Sequence, residues 1–399
     1  MPNPEIHHIV LLGAGYGGLR TALDLAQSCR RHGLERRITL IDRGHRHQLI
    51  TRLHQVATDS VPADEAALPI VDLLPPGAVE ILQGNVESID PQEKSIRVDG
   101  ESISYDRLVI ALGSEAATPP IPGLREHSLP LRWWQDAIHL RDHLQQAFAN
   151  AGQATDPVIR QSWLRIAVVG GGSTGCQIAG EIAHWVTGLA DSHGVPVSEI
   201  HLLLLEAGPG LLQDCTPSMG EKAASVLGRK GIDVRCDCPL EGVDPEGINF
   251  AGERFPCRTV IWSGGIQGNP LLASSGFEVD GRGKLRVDDR LRLEAYPEIY
   301  AIGDAITFEV DGDPLPATAA VALRQGAYVA TALSDEIIGR PPKPFQPRDL
   351  GLLVSLGGGD ATGIVLGVPL EGSAAGLVKE SVERWYVATV TRKLPLVDL

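Results

Sequence analysis

The sequence has little positive charge: 35 lysine and arginine residues stand against 50 aspartate and glutamate residues, and the net charge is −15. A nucleic-acid partner needs a basic surface that displaces counterions, so this class of protein is excluded. The sequence also lacks an apolar run of the roughly 18 residues that a membrane-spanning helix needs. No basic segment followed by an apolar one marks a secretory signal after Met1. We therefore expect a cytoplasmic protein, either soluble or peripheral on the cytoplasmic face of a membrane.

Cysteine is sparse as well, with six residues and neither a Cys-x-x-Cys pair nor a zinc-like spacing. This usage favours a reducing compartment. His45, His47 and His54 lie close together in sequence, but no cysteine or carboxylate cluster accompanies them. Because metal sites in proteins combine such ligands, we expect no metal site.

Glycine is plentiful, and the 45 glycines concentrate in short motifs. Two motifs have the Gly-x-Gly-x-x-Gly spacing, each after a short apolar run and before a helical pattern. Their glycines are Gly13, Gly15, Gly18, Gly170, Gly172 and Gly175. The first glycine of such a motif permits a tight turn, the second lets the backbone approach a pyrophosphate, and the third allows close helix packing. The N-terminus of the following helix stabilises the phosphate charge. The sequence therefore predicts two dinucleotide-binding units.

An acidic residue ends the strand that follows each motif. Asp42 lies 24 residues after Gly18, close to the spacing of roughly 20 expected for an acid that binds an adenosine ribose. Glu206 holds the same place in the second unit. No arginine stands beside Glu206 to compensate the charge of a 2′-phosphate. We therefore expect the second unit to bind NADH rather than NADPH.

The order of strands and helices predicts the α/β class, with two Rossmann-like dinucleotide-binding domains. Short alternating runs between residues 79 and 112 predict a small antiparallel insertion, and the proline-rich stretch 119–123 predicts a boundary. A strand near Ile299 and a helix that opens at Pro316 predict that the first domain is completed late in the chain. The predicted divisions are 1–125, 126–270, 271–345 and a C-terminal α/β tail at 346–399.

Two further motifs strengthen a resemblance to a known family. The stretches Ala111-Leu112-Gly113 and Tyr300-Ala301-Ile302-Gly303-Asp304 each end a predicted strand. Together with the glycine motifs, they resemble type II NADH:quinone oxidoreductases over nearly the whole chain. The C-terminal segment is most similar to the cyanobacterial and plastid branch, which reduces quinones including demethylphylloquinone.

The resemblance implies FAD in the first domain and NADH in the second. Residues at seven positions would hold FAD: Gly13, Gly15, Gly18, Asp42, Gly113, Gly303 and Asp304. Asp304 would contact the ribityl and pyrophosphate part of the flavin. Residues at four positions would hold NADH: Gly170, Gly172, Gly175 and Glu206. Hydride would pass from the nicotinamide to flavin N5, and two electrons would then pass to a naphthoquinone or plastoquinone-type acceptor without proton pumping.

The chain departs from the family where the family places its acceptor chemistry. Gln177 stands where the family has glutamate. In the family motif Ala-Gln-x-Ala-x-Gln-Gln, Ala320 and Arg324 replace the first two glutamines, and Gln325 keeps the third. The resemblance implies that Gln177, Arg324 and Gln325 lie at the acceptor site.

A loop beside the flavin departs as well. The family commonly has Pro-Leu-Leu-Tyr-Gln there, and residues 51–55 of this chain read Thr-Arg-Leu-His-Gln. Arg52, His54 and Arg324 would suit an acceptor with anionic character. The alternative is that both arginines face solvent.

The last predicted helix, at about residues 373–391, is amphipathic. Its apolar stripe is predicted to contain Leu377, Val378, Val382, Trp385, Tyr386 and Thr389, opposite Lys379, Glu380, Glu383 and Arg384. Packing on the core, a homodimer contact and contact with a membrane surface all explain such a stripe. The aromatic pair and the basic residues Arg392 and Lys393 favour an interfacial helix.

The cysteine positions argue against two related chemistries. Disulfide reductases of this architecture need a redox cysteine pair after the first motif, where Cys29 stands alone. Sulfide:quinone chemistry is not expected either, because no cysteine follows Cys257. The remaining alternatives are a flavoprotein sensor or scaffold with little quinone turnover, and a reductase of another non-disulfide acceptor.

Overall fold

The computed structural model describes residues 6–348 and 350–391. Its first large sheet has six strands, and the neighbours are parallel except for the pair at one edge. In spatial order they are Arg292–Leu293, Tyr296–Ala301, Arg107–Ile110, His8–Leu12, Arg37–Asp42 and Glu80–Gln83. The chain therefore returns late to complete the sheet that it began, as the sequence predicts.

The second large sheet has five parallel strands. Their order is Leu129–Pro130, Thr259–Trp262, Arg165–Val169, His201–Leu205 and Asp233–Arg235. The central strands of each large sheet are continuous runs of apolar residues, because helices cover both faces of the sheet. Ile9, Leu11, Ile166 and Val168 illustrate this, since none of them is exposed. This confirms the α/β class.

Helices connect and cover these strands. The described α-helices are Tyr16–His32, Leu53–Val56, Ile70–Leu73, Leu124–His127, Trp134–Gln153, Pro157–Leu164, Ser173–Ser192, Pro217–Arg229, Pro270–Ser274, Ala319–Ile337 and Gly372–Val390. The helix expected to open at Pro316 begins at Ala319 instead. Thr318 caps it, because its hydroxyl accepts a hydrogen bond from the N–H of Val321 at 3.3 Å.

Smaller sheets lie beside the two large ones, and all of them are antiparallel except the parallel pair Leu285–Arg286 with Ile306–Thr307. The three-stranded examples are Val86–Asp90 with Ser95–Val98 and Glu101–Ser104, Leu240–Asp244 with Gly247–Phe250 and Glu253–Pro256, and Gly351–Ser355 with Ala361–Val365 and Val368–Glu371. The first is the predicted insertion. Two-stranded pairs are Arg46–Gln48 with Ala67–Pro69, Ser114–Ala116 with Ile266–Gly268, Leu285–Arg286 with Ile306–Thr307, and Glu309–Val310 with Asp313–Pro314.

The C-terminal helix, Gly372–Val390, turns only part of the predicted stripe inward. Tyr386 and Thr389 are buried as predicted, but Leu377 and Val382 are 66% and 52% exposed. Lys379 and Glu383, predicted on the outer face, have side chains only 12% exposed. Their charges are tolerated there because they form an ion pair with each other. Arg392 and Lys393 lie outside the residues that the structure describes. Among the described helices, none has the length and apolar character needed to span a membrane.

Candidate functional site

The first glycine turn, Gly13–Gly18, joins a central strand of the first sheet to the helix Tyr16–His32. Gly13 has a φ of +99°, and a Cβ atom there would lie 2.3 Å from the carbonyl oxygen of Ala111. A Cβ on Gly18 would lie 1.9 Å from the carbonyl oxygen of Gly13. A Cβ on Gly15 would meet no described atom within 4 Å. The fold thus requires the outer two glycines, whereas Gly15 leaves open space in front of the helix N-terminus.

The second glycine turn, Gly170–Gly175, repeats this division. Gly170 has a φ of +111°, and its Cβ would lie 2.5 Å from the carbonyl oxygen of Ser263. A Cβ on Gly175 would lie 1.7 Å from the carbonyl oxygen of Gly170, while Gly172 again has nothing within 4 Å among the described atoms. Two helix N-termini are therefore open to an anionic group, each at the end of a parallel sheet.

Each turn is braced by the acid predicted for it. Asp42 accepts hydrogen bonds of 2.7 Å from the N–H groups of Ala14 and Gly44. Burial raises the pKa of Asp42, and these two hydrogen bonds oppose the increase. A carboxylate has about four acceptor sites, so capacity remains for a ribose hydroxyl.

Glu206 braces the second turn in the same manner. It accepts hydrogen bonds from the N–H of Gly171 at 2.6 Å, the N–H of Gly208 at 2.7 Å and the side-chain amide of Gln213 at 3.1 Å. Gln213 was not predicted from sequence, because a glutamine in a loop carries no recognisable signal.

A first cleft follows the top of the first sheet. In the order of strands, Asp42 and Asp304 end up on opposite sides of the first glycine turn. Both line this cleft, together with Gly113, Gly303 and Thr318. An adenosine ribose at Asp42 and a phosphate at the turn would therefore leave the rest of a dinucleotide to extend towards Asp304 and Thr318.

Asp304 has two partners that the sequence did not reveal. Its carboxylate accepts hydrogen bonds from the Ser114 hydroxyl at 2.9 Å and from the Arg132 guanidinium at 3.2 Å. Arg132 also donates to the carbonyl oxygen of Ser114 at 3.0 Å. Arg132 precedes the helix Trp134–Gln153, far from Asp304 in sequence, so only the tertiary fold brings them together.

A second, larger cleft of about 870 Å³ adjoins the first. Its volume is in the usual range for a small-molecule site. Gly172, Gln177 and Arg324 line it, so two of the three predicted acceptor residues share this space with the second glycine turn. Ile50, Arg132 and Thr318 line both clefts and mark the junction between them.

Gln325, the third predicted acceptor residue, lies elsewhere. Its side chain is 1% exposed, and its Oε1 atom accepts a hydrogen bond from the N–H of Gly303 at 2.7 Å. Gly303 has a φ of +71°. Gln325 therefore holds the loop that presents Asp304, and it lines a small cavity behind that loop.

The C-terminal helix is tied to the first glycine turn through a buried histidine. The Tyr386 hydroxyl donates to Nε2 of His47 at 2.8 Å, and Nδ1 of His47 donates to the carbonyl oxygen of Ala14 at 2.8 Å. Burial lowers the pKa of His47 to about 4, which keeps the ring neutral and able to serve both partners. This is the role the structure gives to a histidine that the sequence left unexplained.

The C-terminal helix also contacts the loop at residues 51–55. Arg52 does not face solvent: its side chain is 11% exposed and pairs with Glu383 at 3.1 Å. His54 is buried, and burial together with the charges of Lys379 and Arg52 lowers its pKa well below the ordinary value. His54 lines the second cleft as a neutral side chain.

The cysteines form no redox pair in the structure. All six are free, and Cys29 and Cys176 are buried. Burial raises the pKa of each of these two thiols, which disfavours the reactive thiolate. In residues 6–348 and 350–391, no three side chains of histidine, cysteine, aspartate or glutamate are grouped as a metal site.

Comparison with known proteins agrees with this geometry. The chain is 28% identical over 381 residues to the type II NADH:quinone oxidoreductase of Staphylococcus saprophyticus, with 94% of each chain covered. It is 29% identical over 381 residues, with the same coverage, to the enzyme of that name from Staphylococcus aureus.

Solved structures show the same fold. A structure of NDH2 from Plasmodium falciparum in complex with NADH has a TM-score of 0.87 at 17% identity, covering 96% of this chain and 95% of that chain. The sulfide:quinone oxidoreductase of Aquifex aeolicus has a TM-score of 0.81 at 19% identity, covering 97% and 92%. The model of the family described as pyridine nucleotide-disulphide oxidoreductase matches residues 7–326. With both glycine turns, the acids Asp42 and Glu206 and most of the chain inside that match, this protein belongs to the pyridine nucleotide-disulphide oxidoreductase family.

Proposed function

We propose that this protein is an FAD-dependent oxidoreductase that transfers electrons from NADH through the flavin to a quinone. The observation that carries the proposal is the junction of the two clefts at Ile50, Arg132 and Thr318. A dinucleotide that begins at Asp42 reaches this junction from one side, and one that begins at Glu206 reaches it from the other. Their redox-active rings would thus meet.

The residues present fit FAD in the first cleft. The open space at Gly15 admits a phosphate to the helix N-terminus, and Asp42 has acceptor capacity for the adenosine ribose. Asp304 and Arg132 offer acceptor and donor groups to the ribityl chain and pyrophosphate. When bound, FAD supplies the chemistry that takes a hydride and releases two electrons. The protein would orient the flavin and nicotinamide rings and hold them between the walls of the clefts.

The second cleft fits NADH at Gly172, beside the turn that Glu206 braces, and leaves room for an acceptor near Gln177 and Arg324. We propose a quinone of the naphthoquinone or plastoquinone type. Support comes from the curated relatives, which are named NADH:quinone oxidoreductases. The substitutions at Gln177 and Arg324 set the acceptor preference, while Gln325 acts through the Gly303 loop. The domain divisions at 125, 270 and 345 stay predictions.

Anaerobic reduction and reoxidation of the purified holoprotein test this function. NADH is expected to bleach the flavin absorbance rapidly, and an added quinone is expected to restore it over many turnovers per second. The rival function, a flavoprotein sensor or scaffold, predicts slow bleaching, a persistent charge-transfer band and negligible turnover. A screen of naphthoquinones and benzoquinones against one-electron acceptors separates quinone reduction from another non-disulfide acceptor.

We also propose that the protein contacts a membrane surface peripherally through its C-terminal segment. Four large apolar side chains are exposed there: Leu366, Val368, Leu377 and Val382. Peripheral attachment would bring the second cleft close to a lipid-soluble quinone. A homodimer contact is the other use of such a surface.

Replacing Glu206 with glutamine is expected to raise the KM for NADH about tenfold and to reduce the preference for NADH over NADPH. The amide nitrogen would face the N–H of Gly171 or Gly208, where the carboxylate now accepts hydrogen bonds. The loss of charge also removes repulsion of a 2′-phosphate. Steady-state kcat/KM for both nucleotides is the measurement.

The matched control is Asp42→Asn, the corresponding change in the first unit. It is expected to weaken FAD retention and to leave the nucleotide preference unchanged. Equal kcat/KM values for NADH and NADPH in the unmodified protein would remove the basis for the role of Glu206.

Arg324→Gln is expected to lower kcat/KM for quinone by more than tenfold, about 1.4 kcal/mol, while the rate of flavin reduction by NADH changes little. Arg324 lines the second cleft beside Thr318, where a cation stabilises negative charge that develops on a quinone oxygen. Stopped-flow measurement of the two half-reactions separates the effects. Arg340→Gln, an exposed change beyond the same helix, is the control. Unaltered reoxidation of Arg324→Gln across several quinones would place the acceptor elsewhere.

A further inference from the structure

A buried lysine lies beside the junction of the clefts and has no role in the function proposed above. Lys284 is 8% exposed. It lines the second cleft and also the small cavity that Asp304 and Thr318 share. No sequence motif marks this position, because Lys284 directly precedes the short strand Leu285–Arg286, about 20 residues before Asp304 in the chain.

The backbone of Lys284 is fixed, but its ammonium group is uncommitted. Its N–H donates to Asp280 Oδ1 at 2.9 Å, and its carbonyl oxygen accepts from the N–H of Asp280 at 2.8 Å. The ammonium makes no ion pair or hydrogen bond with any residue in the described ranges 6–348 and 350–391. A buried ammonium without any partner is very costly, so this group must reach the cleft that the side chain lines.

The neighbouring charged groups form no ion pair with the Lys284 ammonium in the part of the chain that the structure describes. The Asp280 carboxylate lies near enough for the charge of Lys284 to act on it, but it is occupied by two backbone N–H groups and by the Thr307 hydroxyl at 2.6 Å. Arg132, a cation at the junction itself, is paired with Asp304 at 3.2 Å. The Lys284 ammonium thus remains able to contact a ligand in the cleft.

Thr318 shows which part of a ligand Lys284 would meet. This residue caps the helix Ala319–Ile337 and lines the first cleft, the second cleft and the small cavity beside Lys284. It lies on the far side of the first glycine turn from Asp42, which is the flavin end of a bound FAD. The N-terminus of this 19-residue helix and the Lys284 ammonium therefore converge on one place.

We propose that Lys284 places a positive charge beside the pyrimidine part of the flavin ring and, with the N-terminus of the helix Ala319–Ile337, stabilises the anionic reduced flavin. This inference rests on the proposed function, because it assumes FAD in the first cleft. Reduction by a hydride leaves negative charge on the pyrimidine part of the ring, and a cation on a largely buried side chain favours that charge. Lys284 is then a residue whose positive charge stabilises the reduced flavin during electron transfer.

The flavin midpoint potential of the holoprotein tests the proposal. Lys284→Met, which keeps the apolar stem and removes the charge, is expected to lower the two-electron potential by about 30 mV, a tenfold change in the reduction equilibrium. Sulfite is a second probe: its lone pair forms a bond to flavin N5 and leaves the ring anionic. Its dissociation constant is expected to rise about tenfold in Lys284→Met.

Two variants serve as controls. Lys284→Arg keeps the charge. Its flavin reduction equilibrium and its sulfite dissociation constant are expected to stay within about threefold of those of the unmodified protein. Arg282→Met removes a charge that lines the same cleft but is exposed to solvent, so screening is expected to leave potential and sulfite affinity unchanged. If Lys284→Met does not retain flavin, Lys284→Gln replaces it as the neutral variant.

An unchanged potential and sulfite affinity in the neutral variant would overturn the proposal. So would a loss confined to the affinity for NAD⁺, which would make Lys284 a nucleotide-binding residue instead. If the unmodified protein binds no FAD, the proposed function fails together with this inference. If the potential shifts as expected but no quinone is reduced, the quinone function alone fails.

Discussion

Replacing Gly15 with alanine is expected to give a folded apoprotein that has lost more than a hundredfold of its affinity for FAD, about 2.7 kcal/mol or more. Gly15 precedes the helix Tyr16–His32 with a φ of −69° and a ψ of −169°, a conformation that alanine adopts freely. A Cβ atom there meets no described atom within 4 Å. The added methyl group would occupy the space that a pyrophosphate needs.

The stability of the apoprotein is expected to change little in Gly15→Ala. Alanine is a poorer N-cap than glycine, by roughly 0.5–1 kcal/mol, but it restricts the unfolded chain by a similar amount. Thermal unfolding of the apoprotein and fluorimetric titration with FAD measure the two quantities separately. An unchanged FAD affinity would show that the phosphate lies elsewhere.

Two other glycines supply the controls. Gly172→Ala makes the same change in the second turn, where nothing lies within 4 Å of the new Cβ among the described atoms. It is expected to keep FAD and to lose NADH affinity. Gly18→Ala places its Cβ 1.9 Å from the carbonyl oxygen of Gly13, and this clash with backbone is expected to reduce the yield of folded protein. The three variants separate a ligand requirement from a folding requirement.

The parts of the site that sequence predicts are those in which one short segment fixes the geometry. Each glycine turn joins a strand directly to a helix, so the positions of Gly13, Gly15 and Gly18 follow from local sterics. Asp42 and Glu206 end the neighbouring parallel strands, and the sheet order brings each of them to its own turn. The α/β class and the return of the chain at Tyr296–Ala301 are predictable for a different reason, because both follow from the order of strands and helices along the chain.

The parts that sequence misses are contacts between segments far apart in the chain. Arg132 meets Asp304, and Tyr386 meets His47, only after the fold has formed. For Gln325, the sequence motif and the structure indicate different contacts. Its position in a motif suggests a role at the acceptor, whereas its buried side chain holds the backbone of Gly303.

Helical periodicity identifies the inner face of the C-terminal helix only in part, since it places Tyr386 and Thr389 correctly. Apolar spacing points to a stripe that includes Leu377 and Val382, but both are largely exposed. Lys379 and Glu383 lie inward because each has an opposite charge to meet, and Arg52 extends the pair. A sequence pattern that counts only apolar residues cannot register a buried face held by ion pairs.

Deleting the chain after Gly372 is expected to cause the protein to lose FAD and to lower its melting temperature by about 10 °C or more. The deletion removes buried Tyr386 and Val390, each worth roughly 1.5–3 kcal/mol of burial, and several kcal/mol shift Tm on this scale. It also removes the partner of Arg52 and the hydroxyl that donates to His47. His47 supports the first glycine turn at Ala14, so the turn is expected to loosen.

Two variants divide this effect between the two faces of the helix. Tyr386→Phe removes only the hydroxyl and leaves Nε2 of His47 unsatisfied, at a cost of about 1–3 kcal/mol, so it is expected to weaken FAD retention in part. Leu377→Ser combined with Val382→Ser alters only the exposed face and is expected to keep FAD and Tm while reducing flotation with lipid vesicles. If that double variant instead converts a dimer to a monomer in sedimentation, the exposed face is a contact between copies of this chain. A truncated protein that retains FAD with an unchanged Tm would show that the helix Gly372–Val390 does not support the first glycine turn.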